Sequence, residues 1–423
     1  MHRSAGTLAI LPTAWLIVTI PGCQLESGGI GSTTSTGGGS SGETTSMPSG
    51  SGAIPSTGND DDGTSGDPSG STTGPPGDWP EQPYQWRTPI RIHPGVELSE
   101  FPVAILVPDD GDLAANALPD GTDLAVMASD GTTPLPFELE HYEGEIGSLT
   151  LWVDAGDLAA GQDTRVYLYY GYNGDDEPPE PPPTADTWPD RFESVWHMGV
   201  SDETLFDSTD DPHTALAQDP DNAASSQPGI AGQSADFDGI DDVHDAGDPG
   251  DGSLDAGTDS FTVSFWALMT MNVGQFDTPL YKGASQGNDP GYGFYFRTDV
   301  DPPNWVGGIV DSVGSAQYLQ LGVTADLIGP DWHHVVMTID RDEGRVRSYL
   351  DGDMTQDDPL MELEAIESDS ALVFSNPLNP FRGRLDEVRI QRAAVDADWV
   401  QAEWTNLSDP EAFFTVDPAQ ERP

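Results

Sequence analysis

The chain has 423 residues with 15 basic against 73 acidic side chains, a formal net charge of −58. Such a surface excludes nucleic acid and anionic lipid head groups as partners. Glycine (48) and proline (37) are frequent and only 36% of residues are hydrophobic, so part of the chain cannot bury enough apolar surface to fold.

The acidity has two readings: a well-hydrated, salt-tolerant exterior, or specific binding of divalent ions. The first needs no special arrangement of residues. Lys282 is the only lysine, and Cys23 is the only cysteine, which rules out an intrachain disulfide.

The first 22 residues read as a signal peptide. His2 and Arg3 precede an apolar run through Leu8-Ala9-Ile10-Leu11 and Trp15-Leu16-Ile17-Val18, too short to span a bilayer. It ends in Ile20-Pro21-Gly22-Cys23, which resembles a bacterial lipobox. That resemblance implies lipidation at Cys23, export, and anchoring at the bacterial cell envelope, on the outer membrane or cell surface. Two lipid chains meet the requirement for stable anchoring, and the protein is expected to touch membrane only there. Residues 23–80 are rich in glycine, serine, threonine and aspartate, as in Ser32-Thr33-Thr34-Ser35 and Asn59-Asp60-Asp61-Asp62. They read as a flexible stalk.

Residues 81–174 predict an all-β module of about six strands. Phe137 and Leu139 alternate with Glu138 and Glu140, the pattern of a strand with one buried and one wet face. The two glutamates share a face, with no partner evident, and read as solvated. The segment resembles the DUF2341 family of bacterial surface and secreted proteins. The resemblance rests on Trp86-Arg87, Asp120-Gly121-Thr122-Asp123-Leu124, Leu135-Pro136-Phe137-Glu138-Leu139-Glu140, Leu151-Trp152-Val153 and Tyr167-Leu168-Tyr169-Tyr170. It implies no particular activity. Glu177-Pro178-Pro179-Glu180-Pro181-Pro182-Pro183 then predicts a short, stiff spacer over 175–187.

Residues 188–418 predict a second, larger antiparallel sandwich of apolar strands punctuated by Gly/Asp turns. Its ordered landmarks are Ser194-Val195-Trp196-His197, Ala235-Asp236-Phe237-Asp238-Gly239, Phe261-Thr262-Val263-Ser264-Phe265-Trp266, Trp332-His333-His334 and Arg384-Leu385-Asp386-Glu387-Val388. Together they resemble a LamG-like jelly roll of the concanavalin A-like lectin/glucanase superfamily. One helix is expected, over 395–404, capping the sandwich.

No catalytic set emerges. Glycosidases need two opposed carboxylates, and Asp386 and Glu387, being adjacent on a strand, are expected to face opposite ways. No nucleophile elbow is present. His333 and His334 cannot share one metal for the same reason of alternation, and His197 reads as a packed histidine. The resemblance implies calcium at the sandwich rim, with Asp207, Asp238, Asp241 and Asp386 as candidate ligands. A ligand surface is expected where Tyr295 and Arg297 face outward, near Lys282 and Trp305, with ordinary packing as the plain alternative for each. The chain thus reads as a non-enzymatic surface protein binding carbohydrate or a protein ligand. A hydrolase with an unrecognised site and a passive spacer are the other readings.

Overall fold

A computed structural model describes residues 79, 83–283, 289–298, 300–323 and 328–423. The signal peptide, Cys23 and nearly all of the stalk lie outside the described residues. The described part is almost entirely antiparallel β-structure, and none of its helices is long and apolar enough to cross a membrane.

The first module is a small sandwich. One sheet joins Tyr84–Ile92, Thr164–Tyr172 and Ala125–Met127; the other joins Pro102–Val107, Ser148–Asp154 and Phe137–Glu143. The strand Phe414–Val416, from the far end of the chain, pairs with Tyr84–Ile92 in the register Ile90 to Val416. The C-terminus therefore completes the first module's sheet. A short helix, Gly111–Asn116, goes beyond the sequence reading; Asp110 caps it by accepting from the N–H groups of Asp112 and Leu113.

The second module is a jelly roll in which one continuous hydrogen-bonded sheet folds over into two packed halves, called here the junction sheet and the outer sheet. The junction sheet contains Phe192–Ser201, Arg382–Gln391, Phe261–Met269, His333–Asp340 and Arg345–Leu350. The outer sheet contains Leu372–Phe374, Phe276–Lys282, Gly291–Arg297, Asn304–Val310 and Ala316–Val323. Their facing sides interlock: Phe265 meets Phe294 with ring centroids 5.0 Å apart, and Trp196 meets Phe374 at 5.1 Å.

Phe261–Met269 is buried at every position. Both of its faces are covered, because Phe261, Val263 and Phe265 enter the jelly-roll core while Trp266 enters a second core shared with the first module. That second core unites Val103, Ile105 and Trp152 with Val195, Trp266, Val336 and Tyr349. The proline-rich segment therefore does not hold two independent modules apart; apolar surface on both sides of it is buried in one body. The helix forms over Ala397–Ser408, with Asp396 as its N-cap. Instead of closing an end of the jelly roll, it wedges between modules. Trp399 packs on Phe101 at 4.9 Å, and the Asn406 amide exchanges hydrogen bonds with the backbone of Ala104 at 2.8 and 2.9 Å. This satisfies backbone groups that an edge strand leaves open.

His244 is fully buried beside Phe237, its Nε2 accepting from the Ala224 N–H. Burial pushes its pKa down to about 4. Between pH 6.5 and 4 the unfolded chain takes up a proton that the folded one refuses, so stability falls as pH falls through this window. Relative to a His244→Gln variant, the wild type is expected to lose up to about 3 kcal/mol between pH 7 and 4. Urea unfolding of both proteins at each pH checks this.

Candidate functional site

A cluster of buried charged side chains lies between the modules. Glu138 and Glu140 lie on Phe137–Glu143 of the first module, and their face meets the outer side of the junction sheet. The sequence reading of a solvated face is corrected here: Glu138 and Glu140 side chains are 11% and 7% exposed. Glu138 Oε2 accepts from Trp188 Nε1 at 2.6 Å and lies 3.2 Å from His197 Nε2, while its Oε1 accepts from the Ser208 hydroxyl at 2.8 Å. Glu140 Oε2 accepts from Trp152 Nε1 at 2.8 Å.

Glu387 and Arg389 complete the cluster from the second module. Glu387 Oε1 lies 2.7 Å from His197 Nδ1, and Arg389 donates to Glu387 at 2.7 Å and to Glu403 at 2.8 Å. The guanidinium also stacks on Trp152, 4.5 Å from the ring centroid. The expectation that Asp386 and Glu387 face opposite ways fails. Ser264 pairs with Arg389 and Trp266 with Asp386, so the strand carries one extra residue. Glu387 takes a φ of 48° at this bulge, alternation is interrupted, and both acids face the junction.

Electrostatics follow from burial. Burial opposes charging His197, but Glu387, Glu138 and Glu140 outweigh it and hold the ring well above its ordinary pKa. Burial likewise works against ionised Glu387, which the charges of His197 and Arg389 keep low. Asp386 is driven well up, first by burial and then by the charges of Glu387 and Glu140. Its Oδ2 accepts from the N–H groups of Ile230 and Ala231 at 2.7 and 3.2 Å.

Among the expected metal ligands, only two come together. Asp238 and Asp241 join Asp242, with one carboxylate oxygen from each within 4.8 Å of the others. Asp242 is raised to about 6, mainly by burial. Asp207 and Asp386 sit elsewhere, bound to backbone. Asp207 accepts from the N–H groups of Val195, Thr209 and His213 at 2.9, 3.1 and 2.8 Å, which fixes the turn after Thr204–Asp207 and leaves little for an ion.

The expected ligand residues also divide. Tyr295 and Arg297 lie on the outward side of the outer sheet, beside Phe276. Trp305 does not: it pairs with Phe296, shares its inward face and is 1% exposed. Lys282 is buried, its Nζ 2.5 Å from Asp248 Oδ1 and donating to the carbonyls of Ser368 and Ser370. It ties together loops around a cleft of about 710 Å³ lined by Asp248, Asp251, Asp255, Asp289, Glu367, Asp369 and Arg392. The acids make that cleft repel anionic ligands.

The outward side of the outer sheet holds a further feature. Tyr281, Gly293, Gly308 and Tyr318 are successive cross-strand partners over four strands. Two glycines thus stand between the tyrosines in this row. A Cβ at Gly308 would stand 3.0 Å from the Tyr318 ring, so the ring lies low over that glycine. Tyr318 is 47% exposed. The sequence reading missed Tyr318, although Leu319 and Leu321, alternating with it, both enter the core and signal its outward direction.

The fold and these surfaces define an antiparallel two-module β-protein whose second module is a jelly roll. Residues 241–401 match the family described as the concanavalin A-like lectin/glucanases superfamily. No curated protein matches the sequence. Among solved structures, the binding domain of Paraclostridial Mosquitocidal Protein 1 is similar, with 16% identity and a TM-score of 0.42 over 51% of this chain and 52% of that one. The Botulinum Neurotoxin serotype G binding domain gives 15% identity and a TM-score of 0.40 over 51% of each chain. The serotype D ligand binding domain in complex with N-acetylneuraminic acid gives 15% and 0.40 over 51% and 50%. The chain thus spans about half the length of each of these structures.

Proposed function

We propose that this chain is a non-enzymatic binding protein of the bacterial cell surface, exported and lipid-anchored through Cys23, whose outer sheet binds carbohydrate. The observation that carries the reading is the Tyr281–Gly293–Gly308–Tyr318 row, with Phe276, Tyr295 and Arg297 beside it. The junction sheet's outward face is covered by the first module, so the outer sheet is the broad face left to solvent. Three strand steps of about 4.8 Å separate the end tyrosines, roughly 14 Å in all. Aromatic faces with a polar tip suit stacking on sugar rings, and a row of this length suits an extended ligand. The opposed-acid chemistry of a glycosidase finds no support in the junction, where the carboxylates are buried between the modules.

A glycan array probed with the full chain tests this. Binding to at least one polysaccharide class is expected, with Tyr318→Ala weakening it at least about tenfold while circular dichroism stays unchanged. Binding unaffected by Tyr318→Ala, or only to proteins, would overturn it; turnover of labelled polysaccharide would restore the hydrolase reading.

Calcium at Asp238, Asp241 and Asp242 is a second element of the reading, favoured by their three converging oxygens. One millimolar-range calcium addition is expected to raise the melting temperature of the wild type and not of Asp241→Asn. Equal response of both would sink the assignment.

A further inference from the structure

We propose that Glu140, His197 and Glu387 form a divalent transition-metal site shared by the two modules. Each contributes one ligand atom, and these lie within 4.8 Å of one another. His197 Nδ1 is 2.7 Å from Glu387 Oε1 and 3.7 Å from Glu140 Oε2. These separations bracket the spacing of about 3.4 Å between ligands of a tetrahedral ion with bonds of about 2.1 Å.

The surroundings are those of a metal site. A ligating histidine normally offers its other ring nitrogen to a carboxylate; His197 Nε2 faces Glu138 Oε2 at 3.2 Å. Trp152 Nε1 holds Glu140 and Arg389 holds the second oxygen of Glu387, at 2.8 and 2.7 Å. The Glu140 carboxylate is also under-satisfied for a side chain only 7% exposed: Oε2, the oxygen 3.7 Å from His197 Nδ1, accepts from Trp152, while Oε1, on the side of Gly232, accepts no hydrogen bond. The Gly229–Gly232 turn closes over this oxygen so tightly that a Cβ at Gly232 would stand 1.9 Å from it. A buried unfilled acceptor is costly, and a cation relieves it. One imidazole with two carboxylates selects Zn2+, Mn2+, Fe2+ or Co2+ over calcium or magnesium, which take all-oxygen sets.

The test uses the full chain, stripped with chelating resin and supplied with Co2+ or Zn2+. After gel filtration, one ion per chain is expected by elemental analysis, and bound Co2+ is expected to show the intense visible bands of low-coordinate inner-sphere ligation. His197→Gln should abolish both, while Glu138→Gln, which removes only the outer partner, should weaken binding about 10–100-fold. Asp241→Asn should leave both unchanged. Weak, water-ligated Co2+ spectra on the wild type, as a surface of −58 gives nonspecifically, would overturn the proposal even if the variants fail to fold. So would unaltered binding by a folded His197→Gln protein.

Discussion

Replacing Arg389 by methionine is expected to lower unfolding stability by about 3–5 kcal/mol, the cost of removing one partner from a buried ion pair. Arg389 is 3% exposed and serves Glu387 and Glu403 at once. Methionine fills similar volume, so the loss isolates charge rather than packing. Burial alone works against the guanidinium's charge; the two glutamates outweigh it and raise its pKa. The converse holds for the acids, which lose their counter-charge in the variant. Urea unfolding followed by tryptophan fluorescence measures the difference. A loss under about 1 kcal/mol, typical of an exposed pair, would show that water reaches this network.

Trp152→Ala is expected to cost at least about 4 kcal/mol, combining a large core cavity with an orphaned acceptor. The indole is 1% exposed and lies 5.5 Å from Trp188, 5.6 Å from His197 and 4.5 Å from Arg389. Its Nε1 is the hydrogen-bond donor to Glu140. Trp152→Phe separates the two effects: it keeps most of the ring and loses the donor, so about 1–3 kcal/mol is expected. Equal losses for both variants, in urea unfolding at one pH, would mean that packing around the ring contributes little.

The strands themselves were readable because apolar alternation and Gly/Asp turns are local signals. Pro102–Val107, Phe137–Glu143 and Phe261–Met269 fall where their alternation or apolar runs predict. What escaped is set by contacts distant in sequence. Glu138-x-Glu140 looks alike whether its face meets water or another module; the partner His197 stands 59 residues from Glu138, and nothing local announces it. The direction of Glu387 depends on a positive φ in a non-glycine residue, a conformation composition does not encode. Trp305 was misplaced because its glycine-rich strand lacks clear alternation, and its direction comes from register with Phe296. Tyr318 was legible in principle, from its spacing against Leu319 and Leu321. Gly111–Asn116, at six residues, is too short to show helical periodicity.

Both the candidate binding face and the candidate metal site depend on the two modules forming one body through the buried junction. Native-state hydrogen exchange of the full chain, read by mass spectrometry at rising subdenaturing urea, tests this most directly. Amides in Phe137–Glu143 and Ser148–Asp154 should open with the same free energy and urea dependence as those in Phe261–Met269 and Arg382–Gln391. Early opening of the first pair, with the second still protected, would contradict the account.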